Sequence, residues 1–492
     1  MALIRAYALA VGLLFVAGGL PARAAPGHTG ARADRTEFIE HAIQGGRARN
    51  VILLIGDGLG DAEITLARNY ALGAAGRLVL DTLPLTGACT TYAVDEWYPH
   101  TPDFVTDSAA AATAWATGHK TSNGRVSTAP GTGEALTTIV ELAQENGLRT
   151  GSVTTAELTD ATPAALAAHV NHRSCQGPAD MLLCPQDKKA AGGPGSIAEQ
   201  LIDHHVDVLL GGGRQRFEQV IDGGAFTAQT VTQSARAQGY LVVTTAGELQ
   251  AAELRSAVGG AERSRKLLGL FAPADMSLEW QGQLAAPFPG SGPQICIEHV
   301  RPPHEPSLAA MTRKAIEVLD RSGPSTGWLR RRPGPGFFLQ VEGASIDKRA
   351  HAADPCGQIG ETVAFDAAVA VVLDYAATHP DTLVIVTGDH AHSSQIVPSR
   401  DVTAQVPGIY SRLLTPDGGI MTVYYATNAA GQRQHHTGSQ VRIAAQGPQA
   451  ANVVGLSDQT DLFHVMARAL GLERDTTRTG FLRALAHTIG LQ

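Results

Sequence analysis

Residues 50–58 read NVILLIGDG. Within 50–56, residues 51–55 are an unbroken apolar run closed by Gly56, and the stretch reads as a strand buried on both faces. Runs of the same kind recur as VDVLLGG (206–212), YLVVTT (240–245), GFFLQVEG (336–343), TLVIVTG (382–388) and MTVYYA (421–426). Segments with helical patterning lie between and around them, at 108–117, 136–145, 308–320, 359–378 and 461–470. This alternation predicts an α/β fold, a three-layer sandwich with a large, mostly parallel central sheet and helices on both faces. No internal repeat is found.

The composition fits that architecture. Of 492 residues, 44% are apolar and 17% charged, against about 25% charged in an average soluble domain. Chain-wide disorder needs high charge and few apolar residues, so it is excluded. The 54 glycines and 26 prolines imply many loops without low-complexity sequence. A net charge of −8 lacks the basic balance of a nucleic-acid binder, so no nucleic-acid binding is expected. The Pro/Gly-rich, basic stretch RSGPSTGWLRRRPGP (321–335) reads as a solvated surface loop.

The N-terminus reads as an export signal. Arg5 supplies the positive region, Ala6 to Leu20 the apolar stretch, and Ala22-Arg23-Ala24 the small-x-small cleavage rule. The apolar run is shorter than the ~20 residues a membrane span needs. No second run of spanning length is expected, and RALAHTIGLQ (483–492) is not the tail of a lipid-anchor signal. A signal peptide over 1–24 and a single α/β domain with surface insertions over 25–492 are expected, periplasmic or secreted and without a membrane anchor. Export makes disulfides plausible. Of the five cysteines, Cys175 and Cys184 are near neighbours in a loop-like stretch and form the natural first pair. That leaves Cys296 with Cys356, and Cys89 as a small apolar residue in a strand.

Ligands of an open parallel sheet bind beyond the carboxyl ends of its strands, and here those ends are acidic. The first strand runs into Asp57, the strand at 337–341 into Glu342 with Asp347 and His351 beyond, and the strand at 382–387 into Asp389-His390. One carboxylate after a strand is an ordinary cap or turn residue. Three converging strands would crowd like charges that divalent cations neutralise, zinc where histidine joins in and magnesium where all donors are oxygen. Asp347 and His351 share one face if their segment is helical. His436 follows His435 in QHHTGSQ, and spacing alone does not choose between them. Asp107 or Ser108 opens the Ala-rich helix of FVTDSAAAATAWATG, where backbone amides favour an anion. Arg173 is a candidate phosphate fork. Read singly, Ser108 is a common helix cap and Arg173 a solvated arginine.

Six segments taken together resemble the exported bacterial alkaline phosphatases: LLIGDGLGDAEIT (53–65), VTDSAAAATAWATG (105–118), TTAELTDATPAALAAHV (154–170), FFLQVEGASIDKRAHAADPCGQIGET (337–362), TLVIVTGDHAHSSQI (382–396) and HTGSQVRIAAQGP (436–448). They occur in family order. The resemblance implies a broad-specificity phosphate monoester hydrolase working through a phosphoserine at Ser108, with two zinc ions and one magnesium ion per chain. It implies that Asp347, His351 and His436 hold the first zinc, and Asp57, Asp389 and His390 the second. Asp57, Thr162 and Glu342 hold magnesium, with Asp160 on its water. Arg173 clamps phosphate, Lys348 reaches it through water, and Asp107 lines the same site. A homodimer and the disulfides Cys175–Cys184 and Cys296–Cys356 are implied as well.

Two departures stand out. Gly388 occupies a position where some relatives carry Ala, which predicts a looser loop before Asp389. Arg330 to Arg332 reads as an insertion. Two other classes compete with this reading: a diesterase or sulfatase of the same fold, and a non-catalytic zinc- or phosphate-binding protein. Ser108 is followed by Ala-Ala-Ala rather than the C/S-x-P-x-R context of a sulfatase, and no expected ligand is missing.

Overall fold

The computed structural model describes residues 34–253, 266–320, 335–401, 403 and 407–472. The expected signal peptide, the C-terminal tail 483–492 and all but the last residue of the basic stretch 321–335 lie outside the described residues. Ten strands form the main sheet: β1 (Asn50–Gly56), β2 (Leu85–Thr90), β3 (Arg149–Glu157), β4 (Val208–Gly212), β5 (Tyr240–Val243), β6 (Lys266–Leu270), β7 (Phe337–Gly343), β8 (Thr382–Gly388), β9 (Val441–Gln446) and β10 (Gly455–Asp458). Their spatial order is β10-β2-β9-β8-β1-β7-β3-β4-β6-β5. Neighbours run parallel except at β9, which is antiparallel to both β8 and β2.

Nine helices position the site or cover the sheet: α1 (Asp61–Leu72), α2 (Ser108–Thr117), α3 (Ile139–Glu145), α4 (Ala161–Ala164), α5 (Ile197–Asp203), α6 (Leu308–Leu319), α7 (Ser345–His351), α8 (Pro355–Thr378) and α9 (Gln459–Leu470). Side chains of β1 alternate between two cores, as the two-residue period of a strand requires. Val51, Leu53 and Ile55 pack with residues of α2, α3, α5 and α9. Ile52 and Leu54 pack with residues of α1, α6, α7 and α8. All five are fully buried, each contributing about 1.5–3 kcal/mol. The polar Trp115 indole edge is satisfied inside the core, where Nε1 donates to Gln340 Oε1 at 2.9 Å.

Several sequence expectations are corrected. Residues 421–426 do not join the parallel sheet: Ile420–Tyr425 pairs antiparallel with Ile409–Leu414 in a separate four-stranded sheet. Strands β3, β6, β9 and β10 escaped the reading, and β2 was marked only by the placement of Cys89 in a strand. In β3, RTGSVTTAE is rich in Thr, Ser and Gly, yet eight of its nine residues are buried. The helix expected from residue 136 starts at Ile139, because Thr138 and Glu141 cap it reciprocally. The helix expected from 359 starts at Pro355 behind its cap Asp354. At 24 residues, α8 is long and apolar enough to cross a membrane, contrary to the expectation of no second such run. Two-thirds of its most apolar stretch is buried within this fold, as befits a core helix.

Candidate active site

The centre of the sheet decides where the acidic strand ends meet. β8, β1 and β7 lie side by side in parallel register, with Gly56 opposite both Gly343 and Gly388. Asp57, Glu342 and Asp389 therefore emerge at one edge. The chain turns sharply after β1: Asp57 N donates to the Gly343 carbonyl at 3.1 Å, and Gly58 takes φ +71° with its N–H on Asp389 Oδ1 at 2.8 Å. A Cβ at Gly58 would stand 3.0 Å from the Asp347 backbone, so glycine is needed twice over.

Ser108 is the first residue of α2, behind Asp107, whose Oδ1 caps the helix by accepting from Ala110 N at 2.9 Å. The Ser108 Oγ lies 3.5 Å from Asp57 Oδ1 and 3.4 Å from His390 Nε2. His390 Nε2 is also 3.2 Å from Asp389 Oδ2. Asp57, Asp389 and His390 form one buried group able to hold a cation, and Ser108 opens onto it.

A second such group comprises Asp347, His351, His392 and His436. Helix α7 puts Asp347 and His351 on one face. Three imidazole Nε2 atoms stand 3.1–3.2 Å from Asp347 Oδ1, yet none is aligned for a hydrogen bond. His351 Nδ1 meets the Gln434 carbonyl, and His436 Nδ1 the Thr106 carbonyl at 3.0 Å. Those contacts leave two Nε2 lone pairs facing each other at 3.0 Å, an arrangement that a cation between them relieves. The structure thus selects His436 over the exposed His435. His392 was missed by the sequence reading, although its two-residue spacing from His390 could have flagged it. The Ser393 amide donates to its Nδ1 at 2.8 Å, which puts the proton on Nε2, toward Asp347.

The third constellation is ionic. Asp160 caps α4 through Ala161 N and pairs with two cations: Arg173 Nη2 at 2.8 Å and Lys348 Nζ at 2.7 Å. Asp160 is therefore more than a turn residue. Arg173 Nη1 also reaches Asp107 Oδ2 at 3.1 Å, so Asp107 acts on the cavity through Arg173. Asp275, another residue the sequence reading missed, lies 3.5 Å from Lys348 Nζ. Glu342 is buried beside Thr162, and its Oε2 accepts from Thr154 Oγ1 at 2.5 Å.

Electrostatics shows why this chain needs cations here. Burial first, then the charges of Asp389, Asp347 and Glu342, pushes the Asp57 carboxyl well above its ordinary range. Burial likewise lifts Asp389 to about 6 and Glu342 to about 8. Burial drives His390 well below its usual value and His392 to about 4. Burial also raises Asp347, but its three imidazoles outweigh that and hold it low. Crowded carboxylates with neutral imidazoles are the donor set of a borderline dication such as zinc, whereas Asp57, Glu342 and Thr162 offer only oxygen. The residues fit both kinds of ion.

These groups line a cavity of about 880 Å³ that includes Ser108, Arg173, Lys348 and His436. Its outer wall carries Leu284, Ile409 and Arg433. Gly388 is buried, and a methyl there would sit 2.4 Å from the Leu59 carbonyl oxygen, so glycine fits this turn where alanine would clash. Both expected disulfides, Cys175–Cys184 and Cys296–Cys356, are present. Cys89 is free, in β2, and buried.

Comparison with known proteins agrees with the fold and shows the family. The family model described as alkaline phosphatase matches residues 48–433 and 419–472. The chain is 54% identical to a streptomycin-6-phosphate phosphatase of Streptomyces griseus, covering 86% of this chain and 91% of that protein. It is 48% identical to an alkaline phosphatase of Escherichia coli, covering 91% and 92%. Among solved structures, the Thermus thermophilus alkaline phosphatase superposes with a TM-score of 0.63 at 22% identity, covering 90% of this chain and 96% of that one.

Proposed function

This chain belongs to the alkaline phosphatase family and is a phosphomonoesterase, and from that premise we propose that it acts through a phosphoserine at Ser108. In this reading Asp347, His351 and His436 hold one zinc ion, Asp57, Asp389 and His390 a second, and Asp57, Thr162 and Glu342 a magnesium ion. Bound there, the ions supply charge neutralisation for the oxygens that attack and leave phosphorus. The observation that carries the proposal is the Ser108 hydroxyl, buried and within 3.5 Å of Asp57 and His390 at the start of α2.

The side chains divide the work. Ser108 Oγ attacks phosphorus in line with the ester oxygen, the P–O ester bond breaks, and the alcohol leaves. Water then cleaves the phosphoserine, releasing inorganic phosphate and restoring the hydroxyl. Arg173, held between Asp107 and Asp160, presents its guanidinium to the phosphoryl oxygens. Lys348, fixed by Asp160 and Asp275, adds a second positive charge that reaches phosphate through water. The first-turn amides of α2 favour the same anion. A sulfatase reading has no support in the residues after Ser108, and a diester, whose two non-bridging oxygens share a single charge, would give the Arg173 fork a weaker anion than a monoester does.

Substrate range is proposed as broad, because the cavity extends past the phosphoryl site to Leu284, Ile409 and Arg433. The relative named for streptomycin-6-phosphate favours a sugar phosphate among the substrates. Export with signal cleavage after Ala24 suits a chain with two disulfides. The proposed homodimer rests on the family resemblance. The deciding experiment is acid quenching during turnover of p-nitrophenyl phosphate, with zinc and magnesium restored after chelation. A phosphate mass on the peptide containing Ser108 is expected, and its absence under turnover defeats the proposal.

A further inference from the structure

A separate group of metal-ligating side chains lies outside the catalytic cavity. Glu141 on α3, His169 beyond α4 and His204 directly after α5 bring one donor atom each to within 4.8 Å of one another. None of the three lines the cavity that holds Ser108.

His169 is oriented as a metal-binding imidazole is. Its Nδ1 donates to the Ser127 carbonyl at 2.9 Å, and its Nε2 faces Glu141 Oε1 at 3.2 Å. A carbonyl on one ring nitrogen fixes the tautomer and leaves a lone pair on the other. Two donors about 2 Å from one tetrahedral ion stand about 3.3 Å apart, close to the His169–Glu141 spacing. Glu141 is anchored in turn, since its Oε2 accepts from the Thr138 amide at 2.7 Å. The backbone of His169 is pinned by Gln200, which accepts from its N–H at 2.8 Å and donates to its carbonyl at 3.1 Å.

His204 breaks the simpler reading. An ion pair between His169 and Glu141 accounts for those two residues alone. The Nδ1 of His204 is buried without a hydrogen-bond partner, an arrangement that native structures rarely leave unexplained. Its ring meets His169 edge to face, at 5.8 Å between centroids. Gln144 Nε2 donates to the His204 carbonyl at 2.8 Å, which ties this helix end to α3.

We propose that Glu141, His169 and His204 form a second kind of metal site on this protein, taking one divalent ion of the zinc class with water in the fourth position. Two imidazoles and one carboxylate suit zinc over magnesium or calcium, which prefer all-oxygen sets. All three residues are partly exposed, so an ion enters from solvent. Binding draws together α3, the segment after α4 and α5, three elements that no disulfide joins to one another. Burial lowers the His204 pKa. At His169 burial acts the same way, but hydrogen bonds to Glu141 and Ser127 raise it above the usual value.

The test counts ions on the intact enzyme, loaded with its catalytic metals and dialysed near neutral pH against zinc. Wild type should retain one more zinc per chain than His204→Ala or Glu141→Gln. Added zinc should raise the Tm of wild type and not of the two variants. Turnover of p-nitrophenyl phosphate should be alike in all three, which separates this site from the catalytic ions. Should His204→Ala misfold, the milder His204→Gln replaces it in the same count. Equal zinc content and equal zinc-induced Tm shifts in wild type and the His204 variant would overturn the proposal.

Discussion

Arg173 and Asp160 are joined by a 2.8 Å ion pair from Nη2 to Oδ1, while the other oxygen of Asp160 holds Lys348 at 2.7 Å. One carboxylate thus keeps two cations at the mouth of the cavity that would otherwise repel each other. Its own pKa is drawn well down: burial opposes ionisation, but Lys348 and Arg173 outweigh it.

Arg173→Ala removes the fork and leaves Asp107 and Asp160 without that partner. Charged hydrogen bonds contribute about 1.5–3 kcal/mol each. Loss of two should lower kcat/KM for monoesters by about 10²–10⁴-fold and weaken inhibition by inorganic phosphate. Diesters, which carry one negative charge rather than two, should suffer less. Equal losses for both ester classes would return Arg173 to a structural role.

Ser108→Ala should lower kcat by about 10³-fold or more, because the residual rate is then direct attack by water. Ion content should match wild type, since Ser108 is not among the proposed ligands. Wild-type turnover in this variant would exclude the phosphoserine route.

Chelation should expose the crowding of carboxyls. Asp389 and Glu342 have folded pKa values of about 6 and about 8, raised first by burial, against ordinary values of about 4. Without cations the folded chain binds protons that the unfolded chain has already lost, so stability declines as pH climbs from about 4 to about 8. The Tm of chelated protein should fall across that window, and that of metal-loaded protein should fall much less. A flat profile after chelation contradicts the argument.

Cys89 is buried, and burial pushes its thiol up to about 12. The native protein should show no reactive thiol at neutral pH and one per chain once denatured without reductant. Three or five thiols would mean that one or both disulfides do not form.

Gly388→Ala places a methyl 2.4 Å from the Leu59 carbonyl oxygen. Neither backbone gives way cheaply, so a loss of about 1–3 kcal/mol is expected. Thermal denaturation measures it, and an unchanged Tm would show that this turn relaxes.

Much of this was legible in one dimension. Each of β1, β7 and β8 is a short, mainly apolar run in its own right, because strands covered on both faces leave few polar positions in the sequence. The acidic residues that follow them, and the rule that ligands gather at strand ends, were enough to single out Asp57, Glu342 and Asp389. β3 stayed hidden: it is rich in Thr, and Thr154 and Thr155 find hydroxyl partners that no local pattern announces, Thr154 on Glu342 and Thr155 on the Ala344 amide.

Sequence by itself determined the fold class, the family and the helix N-terminus at Asp107–Ser108, since periodicity, motif order and capping are all local properties. Tertiary structure alone decided which groups act together. His392 and Asp275 joined the site because a loop and a strand end far apart in the chain approach Asp347 and Lys348. His436 prevailed over His435 because the Thr106 carbonyl turns its ring inward. Glu141, His169 and His204, 28 and 35 residues apart along the chain, meet only where three separate elements pack. Through-space convergence of charge and lone pairs depends on packing, and packing at such separations leaves no trace in local sequence.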